Sequence, residues 1–173
     1  VIFATGRGTI PERAGSDASR NEDIIMSTDH DISVLNGLIK TTLDSMKGYE
    51  DAAKDAESTQ FATMFADFAR DRGAVVMELR AAVAGLGGTP EDGSSFLAAA
   101  HRTFMDLKQL FATQDDKAII QEVERGEDHI KAKFESALED RELASASVAA
   151  IRAGYASVKE GHDRMSTLKH SMA

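Results

Sequence analysis

Apolar residues recur at three- and four-residue spacing in five stretches of the chain, and no stretch alternates with the two-residue period of a strand. The first runs from about Ser33 to Ala56, with Leu35, Leu38, Ile39, Leu43, Met46, Tyr49 and Ala53 on one face. The second, about Thr59 to Leu86, is striped by Phe61, Phe65, Phe68, Val75, Leu79 and Val83 and stops at Gly87-Gly88 before Pro90. A third, about Ser95 to Ala112, places Leu97, Ala100, Phe104, Leu107 and Phe111 together. The fourth, about Asp116 to Leu138, carries Ile120, Val123, Ile130, Phe134 and Ala137, and the last, about Ser147 to Lys169, carries Val148, Ile151, Tyr155, Val158, Met165 and Leu168. Short connections after the first and fourth stretches predict two antiparallel hairpins. The stretch at 95–112, roughly 27 Å long as a helix, is about one bundle length. The pattern therefore predicts an all-α, up-down-down-up four-helix bundle with an additional crossover helix between the second and third bundle helices.

Residues 1–25 lack this periodicity and carry Gly6, Gly8, Pro11 and Gly15, which predicts an extended N-terminal tail ahead of a helical domain at 26–173. Such composition is ordinarily a linker. The apolar Val1, Ile2 and Phe3 also suit an arm that docks on a partner or on another subunit of a homo-oligomer.

Composition narrows the function classes. The 173 residues suit one domain. A net charge of −9 argues against a nucleic-acid partner, whose phosphates call for clustered Lys and Arg. No run approaches the roughly 20 apolar residues of a membrane span, and the N-terminus has no long apolar stretch of the secretory kind, so a soluble, cytoplasmic protein is expected. Absence of cysteine removes thiolate metal sites, disulfides and cysteine nucleophiles.

Candidate chemistry lies where polar residues interrupt the apolar stripes. Arg72 falls between Phe68 and Val75, Glu127 between Val123 and Ile130, His162 between Val158 and Met165, and Glu50 continues the line of Ile39, Leu43 and Met46. Charges at core positions are costly unless paired or metal-bound. Counting heights from the loops gives two adjacent layers, one with Glu50, Glu124 and His162, the other with Asp71, Arg72 and Glu127. Carboxylates and imidazole suit iron or manganese. A bundle di-iron centre, however, takes one Glu from each of two helices and Glu-x-x-His from each of the other two. Here Lys159 stands three residues before His162, and the second helix has no histidine. The two readings are a metal site built on Glu50, Glu124, Glu127 and His162, and a buried ion-pair network joining Arg72 to Glu127 or Asp71 and His162 to Glu50 or Glu124. The incomplete ligand set favours the network. His30, His101, His129 and His170 read as surface residues.

Several segments occur in a characteristic order: Leu35–Ile39 (LNGLI), Gly48–Ala53 (GYEDAA), Leu86–Pro90 (LGGTP), His101–Lys108 (HRTFMDLK), Glu122–Asp128 (EVERGED) and His162–Arg164 (HDR). Over about residues 32–169 the chain resembles a bacterial ferritin-like four-helix-bundle family of unknown function, distantly related to rubrerythrins and bacterioferritins. The resemblance implies a ferritin-like fold, and metal binding only through those relatives. The expectation is a non-enzymatic bundle with a degenerate metal site, serving in stress response or as an interaction module. Its rival is an iron- or manganese-dependent oxidase or iron-handling protein.

Overall fold

The computed structural model describes residues 14–94 and 115–172, with side chains from residue 21 onward. Four helices account for nearly all of them: α1 (Ala14–Asp55), α2 (Thr59–Gly85), α3 (Asp116–Glu139) and α4 (Ser145–Ser171). No strand occurs among the described residues. The crossover helix expected at 95–112 lies outside them.

Helix ends follow local chemistry. The Ser58 hydroxyl accepts from the Phe61 amide at the start of α2, and the Asp115 carboxylate accepts from the Lys117 amide at the start of α3. At the end of α2, Gly87 turns left-handed with φ of 79°. This lets the Gly87 and Gly88 amides donate to the Ala84 and Val83 carbonyls, a Schellman closure.

Residues 14–25, expected as part of an extended tail, form the opening turns of α1. From Ser16 to Asn36 there is neither Gly nor Pro. Once the packed part of α1 is formed, each further residue adds a backbone hydrogen bond without a new nucleation cost. Ile24, Ile25 and Met26 remain exposed on this projecting segment.

Two contacts between helices tie the ends together. Asp31 of α1 is buried and accepts from the Ala144 amide (3.1 Å) and the Ser147 hydroxyl (2.5 Å). Ala144, the N-cap of α4, has no side chain of its own to do this. At the opposite end, the Asp116 carboxylate accepts from the Glu57 and Ser58 amides at 3.0 and 3.2 Å. α1 packs on α2 and α3, α4 packs on the same two, and α1 and α4 are diagonal.

The apolar core falls into two clusters. One gathers Leu35, Ile39, Leu79, Val83, Phe134 and Ile151, and the other Tyr49, Phe65, Ile119, Ile120 and Met165. Between these two sets the core positions of α1, α2 and α3 are Ser45, Arg72 and Glu127. The hydrophobic interior is thus interrupted by one polar layer at mid-length.

Candidate functional site: a buried polar layer

Arg72 reaches this layer because it continues the buried line Phe65, Ala69, Val75 and Val76 of α2. It is fully enclosed, and Glu127 opposite it is 1% exposed. All three guanidinium nitrogens are engaged. Its Nη2 donates to Glu127 Oε2 at 2.5 Å, its Nε to Ser45 Oγ at 3.1 Å, and its Nη1 to the carbonyl and hydroxyl of Ser157, both at 3.1 Å. Ser45 then donates its own proton to Glu127 Oε1 at 2.8 Å, closing a ring of charge-assisted bonds. The guanidinium carbon also stands 5.6 Å from the centre of the Tyr49 ring.

Two features mark how tightly the layer is built. Gly161 faces it from α4. A Cβ there would fall inside contact distance of Arg72 Nη2 and lie 2.9 Å from Glu127 Oε2 and 3.0 Å from the Tyr49 hydroxyl. That hydroxyl is buried and has no hydrogen-bond partner of ordinary geometry among the described residues. Burial first, and then the neighbouring Glu127 carboxylate, push the phenol far above its usual range, with Arg72 offsetting only part of the rise.

The matching stretch of a protein family now has a place in the fold. Residues 30–140 match the family described as "Domain of unknown function (DUF2383)". The chain belongs to this family. The matched stretch carries Ser45, Tyr49, Arg72 and Glu127, and ends before Ser157 and Gly161. No curated protein matches the chain.

Within this family member, the four expected metal ligands are not gathered into one site. Glu127 is at the centre, with both carboxylate oxygens engaged by Arg72 and Ser45. Glu124 is buried at the α3–α4 seam and accepts from Lys169 Nζ at 2.8 Å. His162 is 19% exposed, and its ring nitrogens meet Asp128 at 2.9 Å and Asp163 at 3.1 Å. Glu50 borders a groove between α1 and α2, beside Met46, Ala66 and Arg70. Asp71 is exposed and takes no part. No three His, Asp or Glu side chains are grouped to hold a metal ion among the described residues. At the centre the cation held by Glu127, Ser45 and Ser157 is the Arg72 guanidinium itself.

The expected pairing of Arg72 with Glu127 is present, and the expected pairing of His162 with Glu50 or Glu124 is not. The cause is helix rotation. Val158, Gly161 and Met165 form the buried line of α4, so His162 stands one residue, about 100°, around the helix from it. In this part of α1 the buried positions are Tyr49, Asp51 and Ala52, and Glu50 is turned to the groove with α2. Ser45, Ser157 and Gly161 were not singled out by the apolar pattern. Gly161 carried the one available signal, since a glycine inside a helix costs about 1 kcal/mol relative to alanine and calls for a reason.

Proposed function

We propose that this chain is a non-enzymatic, ferritin-like helical-bundle protein in which a buried ion pair stands where a bundle metal centre would be, and that it acts by binding. The observation that carries this reading is the Arg72 guanidinium, held by Glu127, Ser45 and Ser157 between two apolar clusters. A closed charge pair of this kind has no free base, nucleophile or open ligand position. Such pairs are retained in some bundles because they specify register.

The contacts between helix ends support the ferritin-like, up-down-down-up order. α1 meets the end of α3 through His30 and Asp140 and the start of α3 through Glu57 and Asp116. α4 meets α2 through Ser157 and Arg72 and α3 through Lys169 and Glu124. In that order α2 and α3 run the same way and call for a long connection between them.

Elemental analysis of protein expressed with added iron or manganese tests the reading. Metal well below one ion per chain is expected, unchanged by His162→Ala. One ion or more per chain, lost on Glu127→Ala or His162→Ala, would overturn it in favour of a metal-dependent oxidase or iron-handling protein.

A further inference from the structure

Beside the polar layer, where α1 and α3 meet, a cleft of about 190 Å³ opens to solvent. An apolar cavity of about 150 Å³ is enough to take benzene. Tyr49, Val123 and Ile130 supply apolar walls, and Ser45 and Glu127 add polar groups between them.

Two glycines border the cleft, Gly48 from α1 and Gly126 from α3. Neither is demanded by packing, because a Cβ at either position would meet nothing within 4 Å. Each is an interior helical residue, where glycine destabilises by about 1 kcal/mol relative to alanine. Two helices thus carry an unforced cost at the positions where side chains would fill the space. The Tyr49 side chain, whose buried hydroxyl has no hydrogen-bond partner among the described residues, belongs to the same wall.

The charge of the lining selects the ligand. Among the described residues three carboxylates border the cleft, Asp44, Glu122 and Glu127, against one imidazole, His129, and no Lys or Arg. Glu122 is engaged by Arg125, and Glu127 by Arg72. Asp44 makes no hydrogen bond or ion pair among the described residues, and partial burial raises its carboxyl above the usual range against the fields of Lys40 and His129. An amine at the mouth would give Asp44 the direct ion pair that Lys40 and His129 do not make with it.

We propose that the α1–α3 cleft binds a small organic cation, a protonated amine on a compact, ring-sized apolar body. This goes beyond the reading of the buried layer and does not depend on metal content, which the metal analysis tests separately.

Titrating the full chain with benzylamine, benzyl alcohol and benzoate, followed by amide proton–nitrogen NMR, tests it. Benzylamine is expected to give saturable shifts at Tyr49, Gly126 and Ile130, with Kd on the order of 1 mM for so small a ligand. Benzyl alcohol should bind more weakly and benzoate not at all. Gly126→Leu should abolish the shifts while the thermal midpoint stays at or above wild type, and Gly48→Leu provides the same block from the facing helix. Asp44→Asn should weaken benzylamine about threefold and leave benzyl alcohol unchanged. Absence of saturation by about 10 mM benzylamine, benzoate binding as tightly as the amine, or undiminished binding in both folded leucine variants would overturn the proposal.

Discussion

Replacing Arg72 by Met and Glu127 by Leu, singly and together, measures what the buried layer contributes. Arg72 is fully enclosed and Glu127 is 1% exposed, so neither charge can relax into water when its partner is removed. Glu127→Leu would leave a guanidinium with Ser45 and Ser157 but no counter-charge. Arg72→Met would leave a carboxylate with Ser45 alone. Breaking a buried pair from one side costs about 3–5 kcal/mol, whereas exchanging both partners for apolar residues of similar volume is often near neutral. If the two sites were independent, the double variant would lose about 6–10 kcal/mol, most or all of the stability of an ordinary domain. A coupled pair predicts instead that the double variant loses less than either single one. At roughly 2–4 °C per kcal/mol for a chain of this size, each single variant should melt about 6–20 °C below wild type. Far-ultraviolet circular dichroism during urea and thermal unfolding reads this directly, since the described structure is helical. Single variants within about 1 kcal/mol of wild type, or a double variant equal to the sum of the singles, would refute the assignment of a desolvated, coupled pair.

Gly161→Ala should destabilise by about 1–3 kcal/mol despite the better helix propensity of alanine, because its Cβ meets Arg72, Glu127 and the Tyr49 hydroxyl; Gly126→Ala, with open space around it, should be neutral or up to about 1 kcal/mol stabilising in the same urea titration. Asp31→Ala should cost about 2–3 kcal/mol, since a buried carboxylate that caps α4 from another helix is lost, and hydrogen exchange at residues 145–148 should accelerate; unchanged exchange there would contradict the capping role. The contact of His30 with Asp140 gives a pH dependence with a defined sign. A hydrogen bond donated to the Asp140 carboxylate raises His30 above its ordinary 6.5, so its contribution is full below that value and is lost as pH rises through the raised pKa. The Glu142 amide and His30 lower Asp140 below its ordinary 3.8, so that contribution is full above 3.8 and is lost as pH falls through the lowered pKa. The difference in urea midpoint between wild type and His30→Gln should therefore be largest between about pH 4 and 6 and shrink above neutrality. A difference that grows with alkaline pH would rule the pair out.

Much of the frame is legible in the chain itself. Leu35, Leu79, Ile130 and Ile151 recur at helical spacing, Gly87-Gly88 marks a stop, and Ser58 and Asp115 mark starts, because helix periodicity and capping depend on neighbours a few residues apart. The partnership of Arg72 with Glu127 could also be anticipated, since both stand on strong stripes and one charge in a core demands another. Where tertiary structure alone decided was the rotation of each helix about its axis. At 3.6 residues per turn, Tyr49 and Glu50, or Gly161 and His162, are adjacent in sequence yet about 100° apart, and apolar spacing does not choose which one faces inward. That choice rests on three-dimensional fit. Gly161 lets α4 approach the Arg72 guanidinium, and Tyr49 fills the space beside Phe65, so His162 and Glu50 are turned away from the centre. Asp31 capping α4 across more than 110 residues is of the same kind: the residue is ordinary in its own helix and acquires its role only from what folding brings beside it.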